Sequence, residues 1–251
     1  MNTDNVTRNT VSVEEVHFDC HDAQQEALFL FQEQPAPGVL FIHGHKSSAW
    51  GSLLYGKLLQ RAGFAVCLPS QRGYGFSQGA PDFCGPLTVD GVKKAVDIFR
   101  HDPRVGGKIA IWGISRGAAV AAQVITQMNG FSAAVLQAGF YDLQRDYELP
   151  KANGLEGIHR NMEREIGTDL QNGLRERSAI HFAKQISCPV LLLHGSEDKN
   201  IEVEQAYRMD SALTAACIPH ELKIIAGGEH TLSPEVRREQ VFPFLKKYLM
   251  S

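Results

Sequence analysis

The sequence lacks any long apolar run. Its longest uninterrupted stretch of Ala, Val, Ile, Leu, Met, Phe, Trp, Tyr or Cys is five residues, as in Phe64 to Leu68. A membrane-spanning helix needs about 20, so no span is expected. The opening MNTDNVTRNT is polar and has no apolar core, so no secretory signal is expected either. A basic excess is also missing. The 25 Lys and Arg against 28 Asp and Glu leave a net charge of −3, which removes the electrostatic footprint of a nucleic-acid binder. Cysteine is scarce: Cys20, Cys67, Cys84, Cys188 and Cys217 are odd in number and irregularly spaced. That argues against a disulfide framework and for a reducing, cytoplasmic setting. With 43% hydrophobic and 21% charged residues, 23 Gly and 11 Pro, nothing is biased toward a disordered, fibrous or collagen-like chain.

What remains is an ordinary globular composition over 251 residues. A chain of that size folds as a single α/β domain or two small ones; one domain, 1–251, is the expectation. The first 35 or so residues alternate like antiparallel strands, Val11 to Phe18 and Glu26 to Phe31. Beyond Pro35 and Pro37 the pattern changes to short apolar runs, Val39 to Ile42, Phe64 to Leu68, Ile109 to Trp112, Ala133 to Leu136, Val190 to Leu193 and Leu222 to Ile225, unbroken except at Lys223. Runs apolar at every position predict strands buried on both faces. Between them, Leu53 to Ala62, Val89 to His101, Ala118 to Met128, Val203 to Ala216 and Pro234 to Tyr248 have helical period. Ser233 is placed to cap the last of these, with Pro234 as its first residue. Strand–helix alternation predicts a mostly parallel central sheet with helices on both faces. Active sites of such folds lie at the carboxyl ends of the strands.

One stretch breaks the rhythm. Residues 142–178 hold 14 charged residues in 37. Leu155, Ile158, Met162 and Ile166 recur within it at helical spacing. Small amphipathic helices over the sheet edge are expected there, either as a solvated excursion or as a lid beside a substrate pocket.

The serine motif GxSxG occurs twice, at Gly75 to Gly79 and at Gly113 to Gly117. It works only as a strand–turn–helix elbow that thrusts the serine above the sheet. Ser115 has that context, between the strand of Lys108 to Trp112 and the alanine-rich helix from Arg116. Ser77 lies in a glycine- and proline-punctuated loop. Ser115 is therefore the expected nucleophile.

A serine hydroxyl needs an adjacent base, itself oriented by an acid. Asp198 falls in the loop after the Leu191-Leu192-Leu193 strand, and His230 in the Gly227-Gly228-Glu229-His230 loop after the next strand. The chain order Ser, Asp, His suits this architecture. Glu197 and Asp142 are the competing acids, and His194 is read as a structural residue at a strand end. An oxyanion hole needs two backbone N–H groups. Arg116, after the nucleophile, and His45, in His43-Gly44-His45-Lys46, are the expected donors. The Arg116 side chain has two readings, contact with an acidic substrate or a cap on the helix surface, and the second is favoured.

Together these residues resemble the α/β-hydrolase fold, and more narrowly the prolyl-oligopeptidase and dienelactone-hydrolase-like families, over roughly residues 36–250. The markers are His43-Gly44, Arg72-Gly73-Tyr74-Gly75-Phe76-Ser77, Asp102-Pro103-Arg104-Val105, Gly113 to Gly117, Arg177-Ser178-Ala179-Ile180, His194 to Asp198 and Gly228-Glu229-His230. Dienelactone hydrolases carry a cysteine nucleophile, where this chain has Ser115. Prolyl-oligopeptidase peptidases usually read GxSYGG, where this chain has Arg116 and Ala118. Only about 35 residues precede the core, so the family's β-propeller is not expected.

The resemblance implies a cofactor-free serine hydrolase that forms an acyl-enzyme on Ser115. Esters of small or medium size are favoured as substrates, with short acyl-peptides as the alternative. A non-catalytic ligand-binding protein of the same fold would usually lack a triad member. A metal site is a further alternative, through His17, Asp19, Cys20, His21 and Asp22 or His43 and His45, but the ligand spacing is poor. Oligomeric state is left open between monomer and homodimer.

Overall fold

A computed structural model describes residues 12–148 and 156–251. Eight strands form one sheet: β1 Val13–Cys20, β2 Ala23–Leu30, β3 Ala36–Ile42, β4 Ala65–Pro69, β5 Val105–Ile114, β6 Ala133–Gln137, β7 Val190–Gly195 and β8 His220–Ile225. Their spatial order is β1-β2-β4-β3-β5-β6-β7-β8. β2 pairs antiparallel with β1 and with β4, and all other neighbours are parallel. The expected start of β1 at Val11 lies outside the described residues. β1 and β2 close through a two-residue turn, His21-Asp22, with His21 at φ 55°.

Helices cover both faces because each crossover between parallel strands must return over the sheet. Those outside the excursion are α1 Leu53–Arg61, α2 Pro86–Arg100, α3 Arg116–Gln127, α7 Glu204–Ala215 and α8 Pro234–Leu249. Side chains alternate along each strand, so β3 sends Val39 and Phe41 to one layer and Leu40 and Ile42 to the other. The first layer packs Phe41, Trp112 and Leu191 against Leu59 of α1 and Leu245 of α8. The second packs Leu40, Ile111 and Leu136 against Val96 of α2, Val120 of α3 and Met209 of α7. Two covered faces explain why β4, β6 and β7 read as unbroken apolar runs. β8 departs from that pattern: its residues are mostly half-buried. It is an edge strand, as β1 is at the other side, and Lys223 in its middle blunts an edge open to pairing.

The described part of the charged stretch folds as α4 Leu143–Glu148, α5 Glu156–Ile166 and α6 Leu170–Glu176, followed by a 3₁₀ turn at Ala179–Gln185. Leu155 lies outside the described residues. Met162 is fully buried, and Ile158 and Ile166 pack partly buried against the same core layer. The helical spacing thus marks the inward face of α5. At the chain's end, Ser233 Oγ accepts the Val236 N–H at 3.3 Å and Pro234 opens α8. No described helix is long and apolar enough to cross a membrane.

Candidate active site

Ser115 sits between β5 and α3 with φ 55° and ψ −123°. A non-glycine residue in that region is strained by about 1–3 kcal/mol and persists only when its surroundings fix it. Here they do. The Ser115 N–H donates to the Gln137 carbonyl on the neighbouring strand at 2.8 Å, and its own carbonyl accepts the Ala118 N–H at 2.9 Å. The flanking glycines are steric necessities. A Cβ on Gly113 would stand 2.2 Å from the Gly117 carbonyl oxygen, and one on Gly117 would stand 2.2 Å from that of Ile42.

Two loops bring partners to this serine. His230, between β8 and α8, has Nε2 at 2.9 Å from Ser115 Oγ. Its Nδ1 lies 2.7 Å from Asp198 Oδ2, in the loop after β7. The loops touch where Glu197 N–H donates to the Gly228 carbonyl at 2.8 Å. Asp198 Oδ1 accepts the N–H groups of Asn200 and Ile201 at 2.9 and 3.0 Å. Burial alone would raise the Asp198 carboxyl. The bonds from His194, His230 and the Ile201 backbone outweigh it and hold the group well below the ordinary carboxylate range. A carboxylate fixed in this way keeps its charge and orients the imidazole.

His194 is more than a strand-end residue. It is fully buried, with Nε2 at 3.1 Å from Asp198 Oδ2 and 3.0 Å from the Ile201 carbonyl. Both neighbours are acceptors, so Nε2 carries the proton. The four-residue spacing in His194-Gly195-Ser196-Glu197-Asp198 is the sequence signal for this contact. The rival acids go elsewhere: Asp142 pairs with Arg208, and Glu197 is exposed.

The loop after β3 passes close to Ser115. A Cβ on Gly44 would stand 3.4 Å from Ser115 Cβ. His43 braces the loop from beneath. Its Nδ1–H donates to the Gly44 carbonyl at 2.7 Å, and Nε2 accepts the Gln71 N–H at 3.0 Å. Burial pushes its pKa down to about 4, which agrees with a neutral ring that gives one bond and takes one. His45 and Arg116 both line the pocket with Ser115. Burial, and then the Arg116 cation, lower the His45 pKa. Its Nδ1 is 3.0 Å from the Tyr74 hydroxyl.

The Arg116 side chain corrects the expectation of a surface cap. It is 3% exposed and pairs through Nη2 with Glu165 Oε2 of α5 at 2.7 Å. Its guanidinium lies over the rings of Tyr74 and Phe83, at 5.2 and 5.0 Å. The same Glu165 oxygen accepts the Phe83 N–H at 3.0 Å. α5 is thereby tied down beside Ser115, and a cavity of about 940 Å³ opens between it and the strand ends.

Other sequence candidates have different partners. Ser77 is itself buried beneath an exposed loop, where its Oγ accepts the Glu26 N–H and donates to the Ser70 carbonyl, both at 2.9 Å. His17 contacts Glu15 and His21 contacts Asp90, each at 2.9 Å. Among the described residues, no three of His, Cys, Asp or Glu converge as a metal site would need.

Residues 55–251 match the profile of the prolyl oligopeptidase family. The chain belongs to the prolyl oligopeptidase family. It is a serine hydrolase, of peptidase or esterase type. It is 28% identical over 211 residues to the Bacillus subtilis uncharacterized peptidase YtmA, covering 81% of this chain and 79% of that one. It is 26% identical over 215 residues to the acylamino-acid-releasing enzyme of Sus scrofa, covering 80% of this chain but only 29% of that enzyme. Among solved structures, the Pyrococcus horikoshii acylaminoacyl peptidase superposes with a TM-score of 0.80 at 19% identity, over 95% of this chain and 42% of that one. The Pyrococcus furiosus esterase Pf2001 superposes with a TM-score of 0.75 at 19% identity, over 95% and 94%. These structural likenesses identify the α/β-hydrolase fold.

Proposed function

We propose that this hydrolase cleaves carboxylic esters of small or medium size through an acyl-enzyme on Ser115. The observation that carries the reading is the continuous hydrogen-bonded chain Ser115 Oγ, His230 and Asp198, at 2.9 and 2.7 Å, on a strained serine. Ser115 Oγ attacks the ester carbonyl carbon while its proton passes to His230 Nε2. The carbonyl oxygen becomes an oxyanion, which the His45 and Arg116 backbone N–H groups receive. Asp198 stabilises the imidazolium. The tetrahedral adduct collapses, the C–O bond to the alcohol breaks, and the leaving alkoxide takes the proton from His230. A water then repeats the sequence on the acyl-enzyme and returns free acid and Ser115. No step requires a metal or an organic cofactor.

The preference for esters rests on the residues around the nucleophile, where Arg116 and Ala118 replace the Tyr and Gly usual in the family's peptidases. The acylamino-acid-releasing relatives favour a second reading, hydrolysis of acyl-peptides. Measuring kcat/KM on p-nitrophenyl acetate and butyrate and on N-acetylated alanyl anilides separates the two. Faster turnover of the esters is expected; a clear advantage for the anilides would reverse the assignment. We further propose that α5 acts as a lid wall of the pocket, a reading supported by the Arg116–Glu165 pair. A reducing, cytoplasmic setting fits the five free cysteines, three of them buried.

A further inference from the structure

We infer that the ester cleaved at Ser115 carries an anionic oxyacid group, a carboxylate or a phosphate, which the cationic walls of the pocket hold. This rests on the acyl-transfer reading above. Among the described residues, five cationic side chains line the cavity, Lys46, Arg116, Arg160, Arg164 and Arg237, and no carboxylate does. The chain as a whole carries a net charge of −3, so the concentration of positive charge is local. It is also assembled from four separate elements. Lys46 follows β3, Arg116 opens α3, Arg160 and Arg164 lie one turn apart on α5, and Arg237 is in the first turn of α8.

The nearby acids do not neutralise it. Glu165 is shared between Arg116 and Arg164, at 2.7 and 2.9 Å, which leaves that trio with one positive charge in excess. Glu156 meets Arg160 only at 3.6 Å, with both side chains well exposed, a pair of small worth. Asp198 is committed to His230 and His194. Arg237 lies over the Tyr55 ring at 5.0 Å. Among the described residues, neither Arg237 nor Lys46 has a carboxylate partner.

A second observation points the same way. Arg116 adjoins the nucleophile, is 3% exposed, and leaves both Nε and Nη1 without an acceptor. Buried donors normally find partners. Ile114 and Phe140 supply an apolar portion of the lining for the substrate's carbon chain. A cleft lined by one sign of charge concentrates the opposite sign and repels its own.

Three matched esters test this: mono-p-nitrophenyl adipate, p-nitrophenyl hexanoate and p-nitrophenyl 6-aminohexanoate. The adipate ester is expected to exceed the hexanoate in kcat/KM by about tenfold or more, with the aminohexanoate slowest. Raising salt should shrink the adipate advantage. The pair K46Q, at an exposed residue, and R237Q, at a half-buried one, should lower the adipate-to-hexanoate ratio several-fold. Adipate and inorganic phosphate, used separately, should slow fluorophosphonate labelling of Ser115, while adipamide should not. Stronger protection by one anion names the group. Equal kcat/KM for all three esters, with a salt-independent ratio, would overturn this inference and leave the hydrolase reading intact. So would labelling that neither anion slows, should no ester be turned over. Folded protein that neither labels nor hydrolyses any ester would overturn both readings.

Discussion

Replacing Glu165 with Gln removes one negative charge and almost no volume. The carboxylate it replaces is 3% exposed and faces an arginine that is also 3% exposed, with 2.7 Å between them. Burial alone would raise the Glu165 carboxyl, but the bond from Arg116 wins and holds it below its ordinary value of 4.5. The stabilisation from the pair is therefore complete above that value and is lost as pH falls through the depressed folded-state one. Breaking a buried pair by removing one partner costs about 3–5 kcal/mol, because the remaining charge stays buried and uncompensated. For a chain of this size about 1 kcal/mol lowers Tm by roughly 2–4 °C. The E165Q variant should therefore melt about 6–20 °C below the parent at pH 7. The loss is capped by the free energy of lifting α5 off the core, since an open helix returns Arg116 to water. In that case Tm moves less, and amide exchange in Glu156–Ile166 accelerates instead. Removing both charges together, as R116M with E165L, should recover most of the loss. Calorimetry and hydrogen exchange on the three proteins give the answer. An E165Q variant unchanged in both Tm and α5 exchange would refute the reasoning, because it would mean the pair is already solvated.

Other outcomes follow from the same geometry. Ser115→Ala should lower kcat by about 10⁴-fold or more, and Asp198→Asn by about 10⁴-fold through loss of the imidazole tautomer; both are read from steady-state ester hydrolysis with folding checked by circular dichroism. Arg116→Ala should cost far less than Ser115→Ala in the same assay, because the backbone N–H survives it. His194→Leu removes a donor from Asp198 and should cost about 1.5–3 kcal/mol of stability, with a smaller fall in kcat than Asp198→Asn. Asp146 gives a pH dependence. Burial pushes its carboxyl up to about 7 from an ordinary 3.8, so the folded chain keeps a proton that the unfolded chain has released. Its contribution therefore makes stability fall between about pH 4 and pH 7. Asp146→Asn should flatten that part of the Tm–pH curve, and an unchanged slope would count against the assignment.

Much of the architecture is written locally in the sequence. The apolar runs that became β4, β6 and β7 needed only the rule that two covered faces leave no polar position. Ser115 was separable from Ser77 because the residues either side of Ser115 have strand and helix patterns. Asp198 and His230 are candidates from their loops after successive strands, and both loops bring them within hydrogen-bonding reach of the Ser115 chain. The Arg116–Glu165 pair was not legible. Its members are 49 positions apart, and nothing in a charged amphipathic stretch says which of its acids turns inward. The same holds for His43 and Gln71, which meet across 28 positions to brace the loop before His45. β8 is a different case: Leu222 to Ile225 resembles an apolar strand only if Lys223 is passed over, and His220, Glu221 and Lys223 make β8 more polar than β6 or β7, as suits a half-buried strand at a sheet edge. Long-range pairing is a property of the assembled fold, so local pattern does not carry it.

The central claim is that Ser115 is an activated nucleophile, and fluorophosphonate labelling followed by peptide mass spectrometry tests it most directly. On the parent protein the account predicts one adduct, on the peptide that carries Ser115, and none on the Ser115→Ala variant. A well-folded parent that takes no adduct, or takes it on the Ser77 peptide, would contradict it.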